Sequence, residues 1–165
     1  MTWAQKLLMA LGALILVAAG MRLAQRSGWF LRMMIRLTVS SYATAAVGLS
    51  RQQYSVDLDY SEESIGRLDE ILGRLYQAHA SGAGPPPEEL EQRAKEWGAY
   101  LGETIRRRSG GRWVVPTDGP YTGLFVLDIS GMQMCPSAKV LKRIMDGPGD
   151  SLPAYYSVLR AKLRP

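Results

Sequence analysis

Residues 98–113 read GAYLGETIRRRSGGRW, and this stretch decides the fold. The apolar positions Leu90, Ala94, Trp97, Leu101 and Ile105 recur at helical spacing, so a helix runs from about Glu88 to about Arg108. Glu88, Glu89 and Glu91 suit its positive end and the three arginines its negative end. Ser109-Gly110-Gly111 stops it. Arg112 to Val115 then reads as a short strand, with Trp113 as its core anchor. Gly98 and Gly102 lie four apart on one face of the helix, each costing about 1 kcal/mol relative to alanine. Two such glycines predict that another element comes very close.

Downstream, Pro116 to Pro120 is a turn, Thr122 to Ile129 a second strand, and Met132 to Cys135 a third strand stopped by Pro136. Ser137 to Met145 is a helix with Val140, Leu141 and Ile144 inward. Asp146-Gly147-Pro148-Gly149 breaks it, and Asp150 or Ser151 caps a last helix packed through Leu152, Tyr155, Tyr156 and Leu159. Upstream, Asp59 and Glu62 form a capping-box-like start to a helix over Ser61–Ala78 with an apolar stripe from Ile65 to Tyr76. Residues 81–87, SGAGPPP, are a loop. The expected fold is α+β: N-terminal hydrophobic or amphipathic helices, then helices packed on a small three-stranded antiparallel sheet, then two C-terminal helices. The expected organisation is an anchor helix over 1–26, an amphipathic juxtamembrane helix over 27–53 and a globular domain over 54–165.

The net charge of +5 is unevenly placed. The first 56 residues hold six Lys and Arg and no acid, whereas residues 57–165 net −1. Cationic charge beside apolar residues points to an anionic membrane surface rather than to nucleic acid. Leu7 to Met21, LLMALGALILVAAGM, is uncharged over 15 residues. About 1.5 Å of rise per residue makes it roughly 22 Å long, marginal against a hydrocarbon core of about 30 Å. It reads as a transmembrane signal anchor, as a signal peptide with Ala18-Ala19-Gly20 as the cleavage site, or as a buried helix of a soluble fold. The arginines that follow it predict a bacterial inner-membrane protein with its bulk in the cytoplasm. A soluble cytoplasmic protein and an exported one are the alternatives.

After Ser27, the residues Trp29, Phe30, Met33, Met34 and Leu37 recur at helical spacing, and Arg32 and Arg36 are i, i+4 neighbours on another face. That suits a helix lying in a lipid interface. The other reading is a helix packed on its own domain with its arginines in water. Ser40 to Gly48 is rich in small residues, fit for close helix packing or for a loose tether.

The blocks LDYSEESIGRLDEIL, GAYLGETIRRRSGGRW and AKVLKRIMDGPGDSLPAYY resemble a family of small uncharacterised bacterial proteins. Its pattern is D-[YF]-S-x-x-S, then LGE with GG-x-W, then K-V-x-K with D-S-I/L. The resemblance covers about residues 57–160 and implies no activity. This chain departs from it at MQMCP, where the family has an aromatic-rich stretch.

Little in the sequence points to catalysis. One Cys and one His exclude a disulfide framework and a multi-histidine metal centre within one chain. Glu103 could act as a general base, but no nucleophile or His accompanies it, and a buried acceptor for backbone N–H groups or Arg112 is the expected role. Arg106, Arg107 and Arg108 form the densest basic cluster, fit for phosphate or acidic lipid, or simply for the helix dipole. Cys135 has no CxxC partner, His79 sits by a loop, Ser151 and Ser157 lack a nucleophile elbow, and GPG at 147–149 lacks a phosphate-loop ending. The residues therefore predict a non-enzymatic, membrane-associated accessory or protein-binding protein that needs no cofactor, with lipid and protein as partners. A soluble, immunity-like binding module whose apolar N-terminus packs on a partner is the alternative, and an enzyme with a site near Glu103 a further one. The candidate interaction residues are Trp29, Arg32, Arg36, Arg106, Arg107 and Arg108. The candidate structural residues are Gly98, Gly102, Glu103, Gly110, Gly111, Trp113, Asp150 and Ser151.

Overall fold

The computed structural model describes residues 28–163. Its elements are α1 (Trp29–Tyr54), α2 (Glu63–Ala80), α3 (Pro87–Ser109), β1 (Arg112–Val114), β2 (Val126–Ile129), β3 (Met132–Met134), α4 (Pro136–Asp146), a 3-10 turn (Gly147–Asp150) and α5 (Leu152–Leu163). The fold is α+β, with α1 and α3 packed against a three-stranded antiparallel meander in the order β1-β2-β3.

Packing centres on α3. Every residue from Trp97 to Ile105 is buried, so this helix is enclosed on all sides through its middle turns. Its two glycines are the points of entry for neighbours. A Cβ at Gly98 would stand 2.5 Å from Ser137 Cα, at the start of α4. A Cβ at Gly102 would collide with the Trp113 ring and with Pro136. The glycines therefore let the N-terminus of α4 and the first strand lie against α3 with no side chain between. Trp113 pairs with Leu127, and Leu127 with Met134, giving one buried row across all three strands. Gly111 makes the return possible: its φ is +100°, and a Cβ there would lie 2.7 Å from the Asp128 carbonyl oxygen.

Helix α1 packs on α3 through Val39, Ala43, Ala46 and Ser50, a stripe of mostly small residues. The small-residue stretch 40–48 is thus a packing surface, not a tether. Tyr54 closes edge-on against Trp97. The helix ends where Ser55 adopts the left-handed conformation and Val56 N–H reaches back to Ser50 O. Ile35, Val39, Ala43 and Ala46 belong to the same core as the later helices, so α1 is built into the domain that the sequence suggested would begin at residue 54.

Among the described residues, no helix is long and apolar enough to cross a membrane. For residues 28–163 this corrects the expectation of a transmembrane or signal-anchor helix. Helix α1 cannot serve as a span because Arg32 and Arg36 interrupt its apolar positions and α3 occupies its small-residue face. The run Leu7–Met21 and the boundary of the 1–26 segment lie outside the described residues.

The start of α2 also differs from its capping-box reading. Ser61, not Asp59, caps the helix, its Oγ accepting Ser64 N–H at 3.1 Å. Asp59 accepts the Ser61 N–H and hydroxyl and the Arg67 guanidinium. These bonds, Ser61 foremost, hold the Asp59 carboxyl down at about 2. Glu62 instead turns to α5, accepting from Tyr156 and Arg160. The join between α2, α4 and α5 is made by Asp69. Its carboxylate accepts from Arg143 Nε at 2.9 Å, from Arg143 Nη2 at 3.2 Å and from Leu152 N–H at 2.8 Å. Arg143 is only 6% exposed.

Candidate functional site

The end of α3 gathers most of the residues that the sequence marked. Glu103 is buried and faces β1. It accepts from Arg106 Nε at 2.8 Å and Nη2 at 3.1 Å, and from the Trp113 indole N–H at 2.7 Å. Arg107 Nε stands 3.8 Å from its other oxygen. Burial pushes the Glu103 carboxyl up, but hydrogen bonds from Arg106 and Trp113 and the charges of Arg106 and Arg107 outweigh it and hold it below the usual range. The same pairing raises Arg106. Both carboxylate oxygens are engaged by strong donors, the arrangement of a structural acceptor that fastens the α3 terminus to the sheet. The expected partner Arg112 goes elsewhere: its guanidinium bonds Asp128 across the β1–β2 pair at 3.0 Å.

The triple arginine is not one cluster. A helix turns about 100° per residue, so three consecutive side chains diverge. Arg106 enters the cleft beside β1. Arg107 stacks on the Tyr60 ring, 3.5 Å from its centroid. Arg108 lines a separate groove of about 520 Å³ with Ser109, Ser130, Arg160 and Lys162. Asp150 binds Lys139 at 2.8 Å and Lys142 at 3.3 Å, and these bonds, Lys139 foremost, lower its carboxyl. Ser151 Oγ lies 3.5 Å from Ala154 N–H at the start of α5. Both are local fastenings. Gly110 and Gly111 form the positive-φ turn between α3 and β1.

Two further features stand out. Apart from the buried Ile35, the first half of α1 carries its large apolar side chains outward. Trp29, Phe30, Leu31, Met33, Met34 and Leu37 are all exposed, Leu31 and Leu37 by about 60%. The Met-aromatic stripe is therefore not a packing face. Arg32 and Arg36 turn the other way, since the spacing 32, 36, 39, 43, 46, 50 puts them in line with the buried stripe. They meet Arg106, Gly111, Arg112 and Trp113 around a cleft of about 160 Å³. Arg32 and Arg36 were marked from sequence as a pair. That they share a cleft with Arg106 and Arg112 had no sequence signal, because the four come from three elements.

A second cavity, of about 250 Å³, lies between α1, α3, the β1–β2 connection and the start of α4. Tyr42, Lys95, Trp113, Phe125 and Ser137 are among its walls. Among the described residues, no group of three or more His, Cys, Asp or Glu side chains is placed to hold a metal ion. No protein-family model, no curated protein and no solved structure matches this chain.

Proposed function

We propose that this protein is a non-enzymatic accessory protein that acts by binding at an anionic membrane surface, on which the first half of α1 lies. The observation that carries this reading is the reversed polarity of the first half of α1. Six large apolar side chains face solvent within nine residues, whereas exposed large apolar groups elsewhere occur singly. Trp29 and Phe30 stand edge to face at the start of the helix, the residue types that settle at the headgroup boundary. No acid occurs before Asp57, so nothing in this segment opposes a negative lipid surface. On this reading the surface is the cytoplasmic leaflet of a bacterial inner membrane. The rest of the domain, held rigidly by α3, is then presented to a protein partner.

Vesicle flotation of the full chain tests this. The protein should float with vesicles containing phosphatidylglycerol, and the Trp29 emission should shift to the blue. A Leu31→Glu/Leu37→Glu double variant, altered only at exposed positions, should fold normally and stay at the bottom of the gradient. A wild-type protein that ignores such vesicles, or a double variant that floats as well as wild type, would overturn the reading.

A further inference from the structure

The four arginines around the small cleft are a charge excess that the fold does not balance. Arg32 and Arg36 come from α1, Arg106 from the end of α3 and Arg112 from β1. Two carboxylates serve this group. Glu103 binds Arg106 and Trp113, and Asp128 binds Arg112. Arg32 and Arg36 have no acidic partner among the described residues, and the residues ahead of them contain no acid at all.

Their position is not an accident of long side chains at a free helix end. They continue the spacing by which α1 seats itself on the domain, so docking Val39 and Ala43 necessarily brings both guanidinium groups toward Arg106 and Arg112. Like charges gathered by the fold oppose folding, and an anion of matching geometry relieves that opposition.

We propose that this cleft binds a phosphate group, and that the phosphate is carried by an anionic lipid. A single carboxylate takes one guanidinium and little more: Glu103 accepts Arg106 and the Trp113 N–H, and Asp128 accepts Arg112 and the Gly131 N–H. A phosphate presents more oxygens and more charge, and suits several forks converging from different sides. Arg32 and Arg36 offer whole forks. Arg106 and Arg112 each commit two of five N–H donors to their carboxylate, which leaves donors for a ligand. The cleft is too small for a nucleotide-sized ligand to be enclosed, but it accepts a headgroup phosphate. The lipid source is argued from the same helix. Trp29 and Met33 are the i−3 neighbours of Arg32 and Arg36, so exposed apolar surface adjoins the cationic site. A molecule with a phosphate head and an apolar tail meets both. The lipid source rests on the membrane reading above; the phosphate site does not.

The experiment uses the full chain in two arms. In the first, inorganic phosphate is titrated while the melting temperature is followed, with chloride at equal ionic strength as the control. Phosphate should raise the melting temperature saturably, and an Arg32→Gln/Arg36→Gln variant should lose that rise. In the second arm, flotation compares vesicles of phosphatidylcholine, of phosphatidylcholine with phosphatidic acid, and of phosphatidylcholine with oleate at matched surface charge. Wild type should prefer phosphatidic acid over oleate, and the double arginine variant should bind it roughly tenfold to thirtyfold more weakly. The Leu31→Glu/Leu37→Glu variant separates the two readings. It should lose the vesicles yet keep the phosphate-induced rise. Phosphate stabilisation with no vesicle binding by wild type would leave the site standing, transfer its source to free phosphate and sink the membrane reading. No phosphate response would overturn the phosphate site, and equal binding to oleate vesicles would overturn the assignment of its phosphate to a lipid.

Discussion

Two groups of arginines in this molecule are built on opposite terms. Arg143 is enclosed between α2 and α4, and one carboxylate, Asp69, takes two of its N–H groups together with the first backbone N–H of α5. Arg32, Arg36, Arg106 and Arg112 share an open cleft with two carboxylates between them. In the first group, charge is matched, buried and tied to three elements at once. In the second it is in excess and open to water. The ratio of acid to guanidinium, more than the number of arginines, separates a fastening from a binding surface. It also says which substitutions should unfold the protein and which should spare it.

The largest effect belongs to Asp69. Asp69→Ala leaves a buried guanidinium without its counter-charge and Leu152 N–H without its acceptor. Removing one partner of a buried ion pair costs about 3–5 kcal/mol. Chemical denaturation should show a fall of that order. A loss under about 1 kcal/mol would mean that Arg143 escapes to water, and the contrast between the two groups would then fail.

Glu103 stands between the two cases, because strong donors engage both its oxygens as they do those of Asp69, yet its partners Arg106 and Trp113 line the cleft. Glu103→Gln keeps the shape and removes the charge, and should cost about 1–3 kcal/mol through weakened charge-assisted bonds to Arg106 and Trp113. The pH dependence follows from its lowered carboxyl. The folded state binds the proton less readily than the unfolded chain, so the stabilisation is present above the ordinary carboxylate value of about 4.3. It is lost as pH falls through the lower folded value. The wild-type advantage over Glu103→Gln should therefore be full at pH 7 and shrink below about pH 4. An advantage that held constant into acid would assign the stabilisation to shape rather than charge.

The sequence made the fold readable where local signals act alone. The stripe of α2 and α3, the Ser109-Gly110-Gly111 stop and the Asp146-to-Gly149 break mark their own elements. Gly98 and Gly102 marked the close approach but not what approaches, which proves to be Ser137 and Trp113. The second strand is shorter than its β-forming residues predict: it begins at Val126, since Gly119 to Leu124 forms turns closed by bonds such as Gly123 N–H to Pro116 O. The failures have one cause. Asp69 and Arg143 lie 74 residues apart, and nothing local marks either as a partner of the other. The cleft likewise joins residues near 32, 106 and 112. Apolar character alone does not say which face of α1 packs on the domain. Hydropathy says that Trp29 and Met33 favour burial, but the contact with α3 went to the small residues, which allow the closer approach.

The smallest stability effect is the most discriminating one. Arg32 and Arg36 are exposed, have no acidic partner among the described residues and face two other guanidinium groups. Removing them takes away repulsion and little packing, and exposed substitutions of this kind stay within about 0.5 kcal/mol. Arg32→Gln/Arg36→Gln should thus be neutral or slightly stabilising in the absence of phosphate. Any gain should be larger at low salt, where repulsion is unscreened, and should vanish near 1 M salt, where the screening length is about 3 Å. Thermal melts of wild type and variant at both salt levels measure this directly. A variant that loses 2 kcal/mol or more at either ionic strength would show that the two side chains hold α1 in place. The cleft would then be a second fastening of the Asp69 kind, and its charge excess would have to be balanced within the fold.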